Sequence, residues 1–323
     1  MIISASRRTD IPAFYFEWFF NRIKEGYVLV RNPMNIHQVS RIALTPDVVD
    51  CIVFWTKNPK PMINRLSELE KYCYYFQFTL NSYAKDIEPN VPSKNSEIIE
   101  TFKILSESIG KERVIWRYDP ILINNKYNTD YHIKYFRKLA EMLHGKFEHC
   151  VISFVDYYKK NAANFRNNSI EEPRIETIEY LAESFVKTAS DFGFVLKTCA
   201  EKYDLSRFGI EHGKCIDDHL IGKLLGTELN IQKDKNQREE CGCVESIDIG
   251  LYNTCLHGCK YCYANYSDKT VKANHGLYDP NSPLLCSSLV DADKITDRKV
   301  KSIVDSQMSF NDTFSKSNKL FGR

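Results

Sequence analysis

Short apolar runs and amphipathic stretches alternate along the first two hundred residues. Runs rich in β-branched and aromatic residues begin near Ile2, Cys51, Tyr74, Arg113, Cys150 and Phe194, reading IISAS, CIVFWT, YYFQFTL, RVIWRY, CVISFV and FVLKTC. Each is apolar at consecutive positions, the pattern of strands covered on both faces. Between them, helical periodicity predicts helices over residues 13–25, 96–109, 130–143 and 175–192. Gly26 and Gly110 close the first two. Strand–helix alternation of this kind predicts right-handed βαβ units. The expected fold class is α/β, a parallel (β/α) partial or closed TIM-like barrel. No shorter internal repeat is present.

The strand ends are polar. Ser6-Arg7-Arg8-Thr9-Asp10 follows the first run, Thr56-Lys57-Asn58-Pro59 the second and Thr79-Leu80-Asn81 the third. Arg117-Tyr118-Asp119-Pro120 follows the fourth, Asp156 the fifth and Cys199-Ala200-Glu201 the sixth. Any one of these is an ordinary turn or N-cap sequence. In a parallel barrel, however, the carboxyl ends of the strands form the active-site mouth, so six together mark a site. Cys199, Lys57, Arg117 and Asp119 are the candidate catalytic residues.

Composition narrows the classes. A chain of 323 residues that is 43% hydrophobic can bury a large core, which excludes disordered and collagen-like classes. Lys+Arg 44 against Asp+Glu 42 gives a net charge of +2, without the basic excess of a general polyanion binder. Nucleic-acid binding has no support from charge. No apolar run approaches the ~18 residues of a membrane helix, and the first residues do not form a signal peptide, so the expectation is a cytoplasmic protein without a membrane partner.

In that compartment thiols stay reduced, and the cysteines become informative. Eight of the 11 lie at or after Cys199. Such clustering points to metal rather than disulfides. Cys255, Cys259 and Cys262 follow C-x3-C-x2-C within Tyr252-Asn-Thr-Cys-Leu-His-Gly-Cys-Lys-Tyr-Cys-Tyr-Ala. Three thiolates on one loop can hold three irons of a 4Fe–4S cluster and leave the fourth open; a structural zinc site is the alternative. Cys199, Cys215, Cys241 and Cys243 number enough for an auxiliary site, either a second iron–sulfur cluster or a zinc ion, or are incidental core thiols. Cys51, Cys73 and Cys150 are assigned no role.

The cysteine loop resembles that of the spore photoproduct lyase branch of the radical S-adenosylmethionine (SAM) superfamily, with Tyr before the first Cys, His-Gly before the second and Tyr-Cys-Tyr-Ala around the third. Other segments resemble that branch as well. Arg8-Thr9-Asp10-Ile-Pro12 is similar to its Thr-Asp-x-x-x-Pro segment, with the Pro closer to the Asp here. Phe54-Trp-Thr56-Lys57-Asn58 is similar to its Thr-Lys-Ser. Phe78-Thr79-Leu-Asn81 followed by Ile87-Glu88-Pro89-Asn-Val-Pro92 is similar to its Thr-Thr…Glu-Pro-x-x-Pro. The order differs: the cysteine loop here follows these segments. The arrangement resembles a bacterial family of unknown function with a C-terminal radical-SAM-like cluster, over nearly the whole chain to about residue 285.

The resemblance implies a circularly permuted barrel whose cluster-bearing strand is C-terminal, supplied by residues 247–252. It implies a core over 1–205, a cysteine-rich segment over 206–286 that completes the barrel, and a polar tail over 287–323. Helical character is expected near 293–306. The resemblance further implies a 4Fe–4S cluster on Cys255, Cys259 and Cys262. SAM would be held by Ser6, Arg8, Thr9, Asp10, Thr79, Asn81 and Tyr261 and cleaved reductively to a 5′-deoxyadenosyl radical. A reductant such as ferredoxin or flavodoxin would be the partner. The competing expectation is a non-enzymatic iron–sulfur or zinc protein with a regulatory, electron-transfer or nucleic-acid-binding role.

Overall fold

The apolar runs assemble into one parallel sheet. A computed structural model describes residues 1–157 and 161–304. In chain order the strands are β1 (Ile2–Ala5), β2 (Tyr27–Asn32), β3 (Asn35–Ala43), β4 (Cys51–Thr56), β5 (Tyr74–Thr79), β6 (Val114–Ile121), β7 (His149–Phe154), β8 (Val195–Thr198), β9 (Glu211–His212), β10 (Ile247–Asp248) and β11 (Lys294–Asp297). Eight of them form the main sheet in the order β10-β1-β4-β5-β6-β7-β8-β9. Every pairing is parallel. β1 therefore lies inside the sheet, with Ile2 opposite Cys51 on one side and Ser4 opposite Asp248 on the other.

Both faces of the sheet are covered, as the unbroken apolar runs require. On one face lie α2 (Phe16–Glu25), α4 (Ile99–Ile109), α5 (Thr129–Met142) and α7 (Ile175–Phe192). Their core is aromatic. Phe54 stacks on Phe76 at 4.8 Å, Trp116 on Phe136 at 5.0 Å and Phe136 on Phe185 at 4.1 Å. Offset ring pairs of this kind add stabilisation of roughly 0.5–1.5 kcal/mol beyond the area they bury. The opposite face presents Val53, Tyr75, Ile115 and Val151, packed against Cys215, Ile216, Val244 and Ile221 of α8 (Asp218–Leu225). Side chains alternate along each strand, so Gln77 and Arg117 fall on this second face.

The expected helix over 13–25 is broken. α1 (Ile11–Phe14) ends at Tyr15, and α2 starts afresh after it. Tyr15 is fully buried and its hydroxyl donates to Thr254 O at 2.6 Å, which ties the break to the cysteine loop. The polar tail also departs from expectation. Residues 294–297 form β11, an extended strand in register with Gln38–Arg41 of β3, rather than a helix. β2, β3 and β11 make a separate three-stranded sheet. The free edge of β3 needs backbone partners, and the β-branched pair Ile295-Thr296 supplies them. Arg31 fixes the approach with a bond to Asp293 Oδ2 at 2.8 Å. Residues 305–306 of the expected helix lie outside the described residues. Among the described residues no helix is long and apolar enough to cross a membrane.

Candidate active site

The polar strand ends and both cysteine groups converge on one cleft of about 380 Å³. Ser6, Arg8, Thr9 and Asp10 line it from the end of β1, Lys57 from β4, Thr79 from β5 and Arg117 with Asp119 from β6. Cys255, Cys259, Tyr261 and Cys262 face it from the loop after β10. Cys199, Cys215, Cys241 and Cys243 line it as well. Trp55, Phe154 and Val155 supply apolar wall. Asn81 stands outside this lining. Its amide donates to Asp119 O at 2.9 Å and to the Tyr261 hydroxyl at 3.3 Å, and its carbonyl accepts from Asp119 N at 2.8 Å.

Asp248 of β10 joins the C-terminal strand to the first one. Its carboxylate accepts from Ser4 Oγ at 2.7 Å, Ser6 Oγ at 2.6 Å, Arg7 N at 2.8 Å and Gly250 N at 3.0 Å. Four donors on one carboxylate hold the end of β1 against the start of the cysteine loop. Gly250 is required by this closeness: a Cβ there would stand 2.1 Å from Ser6 Oγ and 2.6 Å from Ser6 Cβ. Gly250→Ala is expected to destabilise the fold by about 1–3 kcal/mol, the usual cost of forcing a buried site apart. A thermal melt indistinguishable from wild type would show that the contact is not as tight as described.

The cysteine loop docks on the segment after β5. Asn90 N donates to His257 O at 3.2 Å, Asn90 Nδ2 to Leu256 O at 2.8 Å and Lys260 N to Ile87 O at 3.0 Å. Gly258 takes a left-handed φ of +68°, which favours glycine. Within the loop the backbone N–H of His257 bonds the Cys255 sulfur, and Cys262 N donates to Cys259 O at 3.1 Å. Burial pushes the Cys255 thiol well up and Cys259 to about 12, against the opposing charge of Lys57 at Cys259. A bound cation would favour the thiolate forms of both.

Asp10 joins three elements. It caps α1 by accepting from Ala13 N at 3.0 Å, and it accepts from Lys57 N at 2.7 Å and His257 Nε2 at 2.8 Å. Next to it, Thr9 Oγ1 is buried with no hydrogen-bond partner, although Thr9 lines the cleft. Buried hydroxyls are ordinarily satisfied, so an orphan in a residue beside the cleft stands out. Deeper in the wall, Glu88 is 1% exposed and accepts from Lys57 Nζ at 2.8 Å, from Lys94 and from the Tyr261 hydroxyl. Burial alone would raise the Glu88 carboxyl, but Lys57 and Lys94 outweigh it and hold it at about 2. Lys57 is raised by Glu88 against its own burial. Lys94 is lowered, because burial and repulsion from Lys57 prevail there.

The other four cysteines gather on the second face of the sheet. Cys199 Sγ lies 2.9 Å from Cys215 Sγ, Cys215 is hydrogen-bonded to Cys243, and Cys243 to Cys241. The bond from Cys243 lowers Cys241 to about 7. Arg117 is buried and donates to Cys215 Sγ at 2.8 Å and to Gln77 Oε1 at 3.2 Å, and it is paired with Asp119. Among the described residues no group of three or more His, Cys, Asp or Glu has the arrangement of a ready-formed ion site. The thiols bond one another instead.

Several residues of the site escaped the sequence reading. Asp248 sits in an alternating stretch next to Ile247 and Ile249 and looks there like an outward polar position. Its donors, Ser4 and Ser6, lie more than 240 positions away. Glu88 stands in a matched segment, but its two lysine partners carry no spacing signal. His257 was visible in the loop; its bond to Asp10 was not.

Comparisons place the chain among known proteins only at family level. A family model described as a domain of unknown function, DUF1848, matches residues 2–264. No curated protein matches. A solved structure titled as a "putative alpha-L-fucosidase" from Bacteroides thetaiotaomicron VPI-5482 is 11% identical, over 69% of this chain and 82% of that one, with a TM-score of 0.24. A similarity that low carries no argument about fold or activity.

Proposed function

The chain belongs to the DUF1848 family, and we propose that it is a radical-SAM-type enzyme on a circularly permuted, partial (β/α) barrel. One observation carries the reading: the three-cysteine loop, late in the chain, opens on the same cleft as the strand ends at Ser6–Asp10, Lys57 and Thr79. The pairing of β10 with β1 is what a permuted barrel requires of its last strand. In this reading residues 1–205 form the core and 206–286 complete it.

The donors suit a site-differentiated cluster, since three cysteines on one loop line the cleft and a fourth ligand is left to be supplied from outside. When bound, the cluster would deliver an electron to the sulfonium of SAM. The rest of the work belongs to the chain. Asp10 fixes His257, and with it the loop backbone that bonds Cys255. Glu88, neutralised by Lys57 and Lys94, orients the Tyr261 ring, whose place in the loop suits contact with adenine. Thr9 Oγ1, Arg8 and Thr79 offer polar groups to the cofactor, and Asn81 acts behind them by holding Tyr261. Trp55, Phe154 and Val155 keep water from the reacting centre. A low-potential donor of the ferredoxin or flavodoxin type in the cytoplasm would reduce the cluster.

Anaerobic reconstitution with iron and sulfide should give about four irons per chain on the loop. Addition of SAM and dithionite should then yield 5′-deoxyadenosine, separable by chromatography. A fully loaded, reducible cluster that neither binds nor cleaves SAM would overturn the proposal and favour electron transfer.

A further inference from the structure

Beyond that reading, we infer that Cys199, Cys215, Cys241 and Cys243 form a separate site for one tetrahedrally bound zinc ion rather than a second iron–sulfur cube. The four thiols come from three places: the end of β8, the segment after β9 and the loop before β10. Backbone bonds bring these together. Gly213 N donates to Thr198 O at 2.7 Å and Val244 N to Ile216 O at 3.2 Å. The sulfurs form a compact chain of contacts, beginning with the 2.9 Å approach of Cys199 to Cys215.

Compactness selects the metal. Around a tetrahedral ion with metal–sulfur bonds of about 2.3 Å, neighbouring sulfurs stand about 3.8 Å apart. The contacts run as a chain from Cys199 through Cys215 and Cys243 to Cys241, and an ion that replaces the thiol protons would draw the ends of that chain together. In a cube, four irons and four sulfides lie between the cysteine sulfurs, which must stand much farther apart. The surrounding donors suit a tetrathiolate. Cys243 Sγ accepts from Cys215 N at 3.3 Å and Ile216 N at 3.4 Å, and Cys215 Sγ accepts from Arg117. Four thiolates on a divalent ion carry two surplus negative charges. Arg117 and Arg7, which feels the charge of Cys243 and Cys215, stand next to them. Four protein ligands leave no open position, so this ion performs no chemistry. It staples residues 211–216 and 241–244 onto the sheet and fixes the cleft wall that carries Arg117.

Metal analysis of the full chain, produced with zinc and iron both supplied and kept anaerobic, tests this directly. Wild type should hold about one zinc in addition to the iron of the loop cluster. Replacing Cys255, Cys259 and Cys262 together by alanine should remove iron and leave zinc. Cys241→Ser with Cys243→Ser should remove zinc. Should that variant fail to fold, zinc-edge X-ray absorption on wild type decides the matter: four sulfur neighbours at about 2.3 Å are expected. About eight irons and no zinc, nitrogen or oxygen in the zinc shell, or a Cys199–Cys215 disulfide with no zinc would each overturn the inference.

Discussion

Cys259→Ala is expected to abolish both iron binding at the loop and SAM cleavage while leaving the chain folded. A methyl group cannot donate an electron pair to iron, and two remaining thiolates hold a four-iron cluster poorly. Cys259 is buried in the cleft wall and packs in the main core cluster. Removing one sulfur costs about 1–2 kcal/mol of packing, well short of a domain's stability. The measurement pairs an iron assay with 5′-deoxyadenosine formation. Iron should fall from about four per chain to near none, and product to background. Thr9→Val is the control: it keeps the iron and weakens SAM binding, because it removes only the orphan hydroxyl. Full activity in Cys259→Ala would remove the loop from the reaction.

Glu88→Ala is expected to destabilise the protein by about 3 kcal/mol, since it leaves two largely buried ammonium groups without their counter-charge. The pH dependence gives an independent check. The Glu88 carboxyl lies at about 2 in the fold against an ordinary 4.5. A depressed carboxyl contributes stability above its unfolded value, and that contribution is lost as pH falls through the folded one. Two and a half pH units correspond to about 3 kcal/mol, present above pH 4.5 and gone near pH 2. Denaturant titrations of wild type and variant should therefore diverge at pH 7 and converge as pH approaches 2. Equal stability at pH 7 would mean that Lys57 and Lys94 find water or other partners. The same variant leaves the Tyr261 hydroxyl with only its bond from Asn81, so a loosened cleft should accompany the lost stability.

Sequence made the frame of this molecule visible because buried parallel strands leave an unmistakable trace. The six apolar runs are β1, β4, β5, β6, β7 and β8, and α4, α5 and α7 fall where periodicity puts them. Their polar ends share a cleft because parallel strands run in one direction. What stayed hidden depends on partners distant in the chain. β3 is mostly exposed, and its four leading residues hold a single apolar side chain, Ile36, so they carry no alternating signal. β11 is exposed at every position and is a strand only because β3 needs a neighbour. The hairpin of β2 and β3 was detectable in principle from the Val28–Val30 run and the turn at Pro33. Tyr15 offered no hint of breaking its helix, because the carbonyl it reaches lies in the cysteine loop.

The position of β1 has a consequence for how the protein is made. Its partner β4 emerges within the first sixty residues, but its other partner, β10, pairs only through Ile247 and Asp248. At translation rates of roughly 5–20 residues per second, the nascent chain waits on the order of 10–50 s with that side of β1 unpaired. An open parallel edge is a template for the wrong neighbour, including another nascent copy. Contacts of such long sequence separation also close slowly. Yield in the cell should therefore respond to synthesis speed, temperature and chaperone supply more than the finished fold's stability would suggest.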